Sequence, residues 1–518
     1  MQAVGAASAL AAAPSIVLAT ASSQKWQRFP FTLGVASGAP TPEGFVIWTR
    51  LAPDPMSVDP ALVGGLSGGD ISLRFEIAAD EAMRNIVQSG TALAEARYAY
   101  SVHHVVRGLK PGRPYWYRFV SGDASSRIGR ALTLPAAGAS LDKLRVGYVS
   151  CSNYETGYFA AYRHLAAELP DVVLCLGDYI YEYVEKLEAN LVRRHSGGVE
   201  PVDLQGYRNR YAQYRLDEDL QHLHATAPSL VTWDDHEVHN DYADMLSQAF
   251  VDPAEFAKRR ASAYSAFYEH MPVTPTRPPD GPFLRIYDRF TFGNLAEVFM
   301  ADARQYRSRP PCYGPPDRKP GRVITTHECP ELYSEQRSML GSAQEAWLQD
   351  GLAQSHARWN IVAQSLLMAQ MRRRNKAGEP VLWTDDWNGY PASRARLLRH
   401  IRDARVANPL VVGGDVHSFW ANDLKLDFDN PNSPTVATEF VGSSISANPP
   451  TFDFAAALPE NPHVRFFDKS VRGYVCADIT AAQTSVRFQA ISDRRDPQAT
   501  VRTLRSFVVE SGRAGVQS

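Results

Sequence analysis

Six short apolar runs between residues 144 and 417 constrain the fold more than any other feature of this sequence. Each has the length of a β-strand, and the runs are Arg145–Ser150, Val172–Leu176, Leu230–Trp233, Leu295–Met300, Trp359–Ala363 and Leu410–Val412. Helical patterns at Phe159–Glu168 and Ala343–Gln354 lie between some of them. Strands that alternate with helices predict an α/β domain built in layers.

Polar side chains follow each of these runs directly. They are Cys151 and Asn153, Asp178, Asp234 to His236, Asp302 and Arg304, Gln364 and Ser365, and Asp415 and His417. Ligand sites in layered α/β sheets lie at the carboxyl ends of the strands. One such residue alone is a weak signal, but the same pattern after six runs predicts a single shared site.

The residue types at these strand ends indicate metal chemistry. Carboxylates are the ligands that calcium and magnesium prefer, whereas imidazole, thiolate and phenolate suit transition metals. No G-x-S-x-G nucleophile elbow of the serine-hydrolase kind follows any of these runs, and no phosphate-binding P-loop motif occurs in the chain. The combination predicts a hydrolytic site that holds metal ions of both kinds.

The region before residue 140 has a different pattern, which is typical of an all-β domain. Phe45–Trp48 is apolar, and Ile71–Ile77 alternates between apolar and polar residues. The segment LKPGRPYWYRF, Leu109–Phe119, resembles the turn and aromatic strand of fibronectin type III sandwiches. The sequence therefore predicts a small fibronectin III/Ig-like sandwich over residues 27–135, followed by a catalytic domain over residues 140–510.

Residues 1–21 are predicted to be the remnant of a secretory signal. Ala3–Ala21 is small and apolar, and Ala19 to Ala21 has the A-x-A form of a signal-peptidase site. The alternative is a disordered alanine-rich tail. If the first interpretation holds, the mature protein works outside the cytoplasm.

The cysteines fit an exported protein. Cys312 and Cys329 lie in a loop rich in proline and glycine that packing holds poorly, and a short disulfide would close it. Cys175 and Cys476 lie within apolar runs, so we expect them to be inert core residues.

The charge balance gives no support for nucleic-acid binding, because 54 basic residues face 56 acidic ones and the net charge is −2. No apolar stretch of about 18 residues follows the leader, so we expect no transmembrane segment.

Five segments resemble the PhoD-type alkaline phosphatases, a branch of the calcineurin-like metallophosphoesterases. They are GDYIYEY (Gly177–Tyr183), WDDHE (Trp233–Glu237), DARQYR (Asp302–Arg307), DDWNGYP (Asp385–Pro391) and GGDVHSFW (Gly413–Trp420). The resemblance implies a four-layer sandwich in which helices flank two β-sheets. It also implies a secreted or periplasmic enzyme, exported by the twin-arginine route, although no Arg-Arg pair precedes the apolar leader.

The resemblance further implies a cluster of ferric iron (Fe3+) and calcium (Ca2+). Cys151, Tyr181 and His417 would bind iron, and Asp178 would bridge iron and calcium. Asp235 and Asp415 would bind calcium. Alternatives remain for two of these residues, since Tyr181 could be a core tyrosine and Cys151 a plain buried cysteine.

Three further residues are predicted to act in catalysis. His236 matches a family histidine near the leaving group and could donate a proton to the departing alkoxide. Arg304 is a candidate phosphate clamp, because a guanidinium matches phosphate oxygens, but it could instead tie down its own loop. Asn153 could contact phosphate beside Cys151.

The implied reaction is hydrolysis of small-molecule phosphate mono- and diesters by a metal-bound hydroxide or oxide, which releases inorganic phosphate. We expect a monomer. One alternative is a phospholipase D-like phosphodiesterase on the same scaffold, in which residues 185–221 and the Cys312–Cys329 loop would form the walls. A second is a non-catalytic cell-surface binding protein.

Overall fold

The computed structural model describes residues 25–59, 61–315, 319–452 and 454–517. The expected signal remnant over residues 1–21 lies outside the described residues. The strands of the first half are β1 Val35–Thr41, β2 Gly44–Arg50, β3 Ile71–Ala78, β4 Ile86–Ala94, β5 Ser101–Val106, β6 Pro114–Ser121, β7 Ala124–Ser125, β8 Gly129–Leu132, β9 Lys143–Val149, β10 Val172–Leu176 and β11 Ser229–Thr232. The later strands are β12 Asp288–Phe292, β13 Ala296–Met300, β14 Val323–Thr325, β15 Trp359–Ala363, β16 Arg373–Arg374, β17 Pro380–Trp383, β18 Pro409–Gly413, β19 Phe419–Lys425, β20 Thr435–Val441, β21 Val464–Asp468, β22 Gly473–Thr480, β23 Gln483–Ile491 and β24 Val501–Glu510.

The α-helices are α1 Ala160–Ala167, α2 Leu204–Arg215, α3 Glu218–Thr226, α4 Pro253–His270, α5 Ser342–Gln354 and α6 Pro391–Asp403. Local sequence accounts for where α4 begins. The Asp252 side chain accepts hydrogen bonds from the Ala254 and Glu255 backbone N–H groups, and Pro253 occupies the first turn. An aspartate cap satisfies free N–H groups at a helix start, and proline is compatible with that position.

Two large sheets form the centre of the protein. The first has nine strands in the order β24-β23-β22-β9-β10-β11-β1-β2-β5, and the second has seven in the order β12-β13-β15-β18-β20-β19-β21. Strands β9, β10 and β11 are parallel to one another. Strands β13, β15, β18 and β20 are likewise parallel. Each parallel group therefore delivers its loops to one edge of its sheet.

The sheets and helices make four layers, which confirms the predicted fold. Side chains such as Leu174 and Ile361 meet between the two sheets. Their neighbours point the other way, so Val173 packs beneath helices α1 to α4 and Val362 beneath α5 and α6. Successive side chains of a strand face opposite sides, and a strand covered on both sides must be apolar throughout. This explains the continuous apolar runs of the sequence.

The N-terminal part is all-β, as the sequence predicts. Strands β3, β4, β6, β7 and β8 form a five-stranded sheet, while β1, β2 and β5 extend the nine-stranded sheet beyond β11. Gly38 of β1 pairs with Ser229 of β11. A Cβ atom at Gly38 would lie 2.4 Å from the Pro272 carbonyl oxygen, so the junction requires glycine. This continuity between the two parts was not evident from the sequence.

The predicted disulfide is present between Cys312 and Cys329. It closes a loop that contributes β14 to a three-stranded sheet of the order β14-β17-β16. We call this the accessory sheet. Cys175 and Cys476 are free and buried, as expected for core residues. Among the described residues, no helix is long and apolar enough to span a membrane.

Candidate metal centre and active site

The carboxyl ends of strands from both sheets bring the predicted iron ligands together. Ligand atoms of Cys151, which follows β9, Asp178, which follows β10, and His417, which follows β18, lie within 4.8 Å of one another. The Tyr181 hydroxyl joins them, 2.9 Å from Asp178 Oδ2 and 2.9 Å from His417 Nε2. Four residues from distant parts of the chain thus place thiol, carboxylate, phenol and imidazole groups in one small space.

The orientation of His417 suits metal binding. Its Nδ1 lies 2.8 Å from the Asn448 carbonyl oxygen, which can only accept a hydrogen bond. The proton therefore resides on Nδ1, and Nε2 faces the cluster with a free lone pair. Metal-binding histidines are held in this way by a bond to the other ring nitrogen. Burial lowers the pKa of His417 to about 3, so the imidazole is neutral.

The backbone is strained where the cluster forms. The φ angles are 61° at Cys151, 52° at Asp178, 63° at Asp415 and 50° at His417, all in the left-handed region. Residues other than glycine adopt this region at a cost, and such residues concentrate at functional sites. Four of the six predicted metal ligands share this property, which supports a role for them beyond packing.

Gly177 allows two of these loops to approach closely. Its φ is +96°, and a Cβ atom there would lie 2.4 Å from the Asp234 backbone nitrogen. Because glycine has no side chain, the loop after β10 presses against the loop after β11. This contact brings Asp178 and Asp235 into one group with His236, within 4.8 Å of one another.

Carboxylates fill the rest of the site. Asp234, Asp235 and Asp415 form one group whose oxygen atoms lie within 4.8 Å of one another, and Asp235 also belongs to a second group with Asp241 and Asp385. Asp178 Oδ1, Asp234 Oδ2 and Asp235 Oδ1 are buried without a hydrogen-bond partner among the described residues. Buried oxygens without partners are costly, so their convergence indicates room for a cation.

Arg304 lies among these carboxylates and is fully buried. Its Nε is 2.5 Å from Asp234 Oδ1, and its Nη1 is 2.7 Å from Asp385 Oδ2. Nη2 has no hydrogen-bond partner among the described residues and lies 3.7 Å from Asp235 Oδ1. The guanidinium thus orients two carboxylates that belong to other loops.

His236 lies beside the cluster. Its Nδ1 is 2.7 Å from Glu182 Oε2, and its ring stacks on Tyr181 with a centroid distance of 4.2 Å. Burial opposes a positive charge there, but Asp235, Glu182 and Asp178 together raise the pKa of His236 well above its usual range. The neighbouring carboxylates therefore favour the protonated form of this histidine.

Asn153 is tied to the surrounding loops. Its Nδ2 donates to the Tyr183 hydroxyl at 3.0 Å, and its Oδ1 accepts from the Glu155 backbone N–H. The Tyr183 ring in turn contacts His236 edge-on, with a centroid distance of 5.3 Å. Asn153 therefore lies at the edge of the site, and both ends of its amide already have partners.

The protonation of the cluster depends on burial. Burial raises the pKa of the Cys151 thiol and of the Tyr181 phenol, and the Asp178 carboxylate adds to both increases. Burial raises the pKa of Asp178 as well. A cation reverses this preference because it stabilises thiolate, phenolate and carboxylate, so metal binding would release protons. The donor set fits iron at one end and calcium at the other.

Sequence reasoning did not assign Asp241, Asp385 and Glu182 to the site. Asp241 lies in the HNDY segment, and Asp385 begins the DDWNGYP motif. Neither follows a strand of the large sheets, so the strand-end pattern could not find them. Asp385 is positioned by Arg304 and by Arg307, whose Nη2 is 2.6 Å from Asp385 Oδ1. Gln364, which does follow a strand, binds the Leu366 backbone.

The four-layer fold and this cluster of carboxylate, imidazole, thiol and phenol groups define a phosphoester hydrolase with candidate metal-binding groups. Family models agree with that class. Residues 146–488 match the model of the PhoD-like phosphatase and residues 17–135 match that of the PhoD-like phosphatase N-terminal domain. The chain belongs to the PhoD-like phosphatase family.

Two relatives support this assignment. The chain is 40% identical over 496 residues to alkaline phosphatase D of Bacillus subtilis (strain 168), covering 94% of this chain and 82% of that protein. It also superposes on a solved structure of PhoD with a TM-score of 0.89 and 39% identity, covering 95% of this chain and 93% of the other. The protein is therefore a phosphoric ester hydrolase of the alkaline phosphatase D type.

Proposed function

We propose that the protein is an exported phosphatase that hydrolyses phosphate monoesters and some diesters with the help of a mixed iron and calcium cluster. One observation carries the proposal. Cys151, Tyr181 and His417 converge on Asp178 beside buried carboxylate oxygens that have no hydrogen-bond partner among the described residues. Soft and hard donors side by side suit two kinds of metal ion better than one.

The residues divide between the two metals by their donor atoms. Cys151, Tyr181 and His417 would hold iron, and Asp235 and Asp415 would hold calcium, while Asp178 would serve both. Its carboxylate has Oδ2 beside Tyr181 and Oδ1 without a partner. When bound, the metals would supply positive charge to the phosphoryl oxygens and activate water for attack.

His236 is the proposed acid. Glu182 holds its Nδ1, so Nε2 is the nitrogen that can meet the ester oxygen. A water oxygen forms a bond to phosphorus, the phosphorus–oxygen bond to the alcohol breaks, and the alcohol leaves with a proton from His236. The proton that the attacking water loses restores the protonated form of His236. Arg304 positions Asp234 and offers Nη2 to the phosphoryl group, and Asn153 keeps Tyr183 against His236.

Metal analysis combined with activity tests this proposal. We expect purified protein to contain iron in stoichiometric amount and to release phosphate from p-nitrophenyl phosphate. A chelator should abolish activity, and calcium should restore it, because carboxylates bind calcium reversibly. Zinc as the sole metal, or turnover that does not depend on calcium, would contradict the proposed cluster. Metal without turnover would favour the non-catalytic binding protein.

Cysteine variants provide a matched control. Cys151→Ser should lose iron, because a hydroxyl is a poorer ligand than a thiolate. Cys476→Ser changes another buried cysteine, which lies in β22 away from the cluster, and should retain iron. Equal iron content in the two variants would remove Cys151 from the ligand set. The rate of hydrolysis of bis(p-nitrophenyl) phosphate, compared with that of p-nitrophenyl phosphate, then shows whether the enzyme prefers diesters or monoesters.

The proposal includes export and a division of labour within the chain. The Cys312–Cys329 disulfide supports export, since disulfides persist in oxidising compartments. We propose that residues 27–135 serve as a positioning domain and residues 140–510 as the catalytic domain. Cell fractionation with thiol labelling tests the first point. Recovery of the protein in the cytoplasm with both thiols reduced would contradict it.

A further inference from the structure

A cavity of about 360 Å³ opens beside the metal-binding cluster. Asp415 and His417 form its inner end, and both are only half-buried. Cys151, Asp178 and Asp235, by contrast, are buried and are not among the residues that line the cavity. A phosphate ester held at the cluster therefore has this cavity next to it, and its alcohol group has space there.

The walls of the cavity are mainly apolar and aromatic. Trp383 and Phe452 line it and are both half-buried. Trp420, Leu367 and Met371 complete the lining from the core. Small-molecule sites are lined in this way, with a few polar groups that set orientation. Flat aromatic ligands gain most from such walls, because ring pairs favour offset and edge contacts.

The accessory sheet forms one side of the cavity. Val323 of β14, Arg373 of β16 and Trp383 of β17 all face it, and β14 lies within the loop that the disulfide closes. The Cys312–Cys329 loop therefore lines this cavity through Val323. These strands lie outside the two large sheets, whose strand ends carry the proposed metal ligands. Substitutions in the accessory sheet can therefore alter the cavity wall and leave those ligands in place.

Arg373 lies where this cavity meets a second, outer cavity of about 500 Å³, which it also lines. Its guanidinium is 5.1 Å from the centroid of the Phe452 ring. No carboxylate of the described residues lies within ion-pair distance of it, whereas the adjacent Arg374 pairs with Glu460 at 2.7 Å. A half-buried arginine with free donors is an anion-binding group at the outer end of an apolar cavity.

We propose that this cavity binds the alcohol part of the substrate and selects a flat aromatic group that carries an acidic substituent. The aromatic group would lie between Trp383 and Phe452, and the acidic group would reach Arg373. The inference rests on the proposed function, since it needs the phosphoryl group at the cluster. Water attacks phosphorus, the phosphorus–oxygen bond breaks, and the aromatic alcohol leaves with a proton.

The test compares esters by kcat/KM with the metal-loaded full-length protein. The three substrates are methyl phosphate, naphthyl phosphate and carboxynaphthyl phosphate. Intrinsic differences between the leaving groups cancel when ratios of two substrates are compared between wild type and variant. Trp383→Ala should lower the naphthyl-to-methyl ratio by about tenfold, because an apolar contact is lost. Phe452→Ala, which alters another lining residue, should lower this ratio similarly.

Arg373→Gln addresses the acidic substituent. It should lower the carboxynaphthyl-to-naphthyl ratio by about tenfold, which is the scale of one charge-assisted contact. Arg402→Gln and Tyr333→Ala are the matched controls, since both side chains are exposed and outside the cavity. Unchanged ratios in the cavity variants, or equal losses in the controls, would overturn the proposal.

Binding of naphthyl phosphonate, measured by calorimetry against methyl phosphonate, separates this proposal from the proposed function. Turnover of all esters without aromatic preference would leave the phosphatase intact and refute the subsite. If no ester is hydrolysed but naphthyl phosphonate still binds, and binds more weakly to Trp383→Ala, the proposed phosphatase activity is refuted and the aromatic subsite is supported. Absence of both turnover and naphthyl binding would refute both.

Discussion

Substitution of Gly177 by alanine tests how the site is assembled. Gly177 lies directly before Asp178, and its φ of +96° is one that side chains disfavour. The new Cβ would also meet the Asp234 backbone nitrogen at 2.4 Å, the Asp234 Cβ at 2.5 Å and the Trp233 carbonyl carbon at 2.8 Å. Backbone atoms of a buried strand end cannot rotate away, so the two loops must separate.

Two costs add in this variant. Holding alanine in a left-handed conformation costs about 1–2 kcal/mol. Forcing an extra carbon into a packed contact costs about 1–3 kcal/mol more. Gly177→Ala should therefore lower the free energy of unfolding by roughly 2–5 kcal/mol. Gly108→Ala is the control, because Gly108 has a φ of +76° but nothing within 4 Å of the new Cβ.

Urea denaturation of both variants measures the two costs separately. Gly108→Ala should show only the backbone cost, so the difference between the variants isolates the contact. Calcium titration is the second measurement, because separated loops would pull Asp234 and Asp235 from Asp178 and weaken binding in Gly177→Ala alone. Equal losses of stability in the two variants, with unchanged calcium affinity, would refute the close approach as the organising contact.

Three other perturbations have expected outcomes. Arg304→Met should lower the free energy of unfolding of the metal-free protein by about 3–5 kcal/mol in urea, because Asp234 would remain buried without its partner. Replacing Cys312 and Cys329 by alanine should cost about 3 kcal/mol by the same assay, because their separation of 17 residues closes a loop in the unfolded chain. For His463, burial lowers the pKa from 6.5 to about 4, so the folded state resists protonation. The stability that this histidine contributes is present above about pH 6.5 and is lost as the pH falls towards 4, by up to about 3 kcal/mol. His463→Gln should remove this dependence of the free energy of unfolding on pH.

Each of these has its own control. Arg402→Met alters an exposed arginine, and its stability should match the wild type. Reduction of the wild-type disulfide should reproduce the double alanine variant, and a different midpoint would argue against loop closure. His222→Gln changes an exposed histidine and should leave the pH dependence as it is. An unaltered acid slope in His463→Gln would contradict the assignment of that slope to the buried ring.

The sequence by itself determined the layered fold and the position of the site. Apolar runs of strand length, each followed by polar groups, became parallel strands such as β9 and β10 of the first sheet and β15 and β18 of the second. This brings Cys151 and Asp178 to one edge of the first sheet, whereas their approach to His417 also depends on how the two sheets pack against each other. Within one sheet a local pattern suffices, because the carboxyl ends of parallel strands lie at one edge of the sheet whatever their order.

Only the tertiary structure decided which loops touch. Asp241 and Asp385 join the site through contacts between segments far apart in sequence, and no strand period marks either residue. The cavity beside His417 depends on how the accessory sheet packs, and the continuity of β1 with β11 depends on the space at Gly38. Such contacts arise from the close packing of the whole chain, which residue periodicity does not encode.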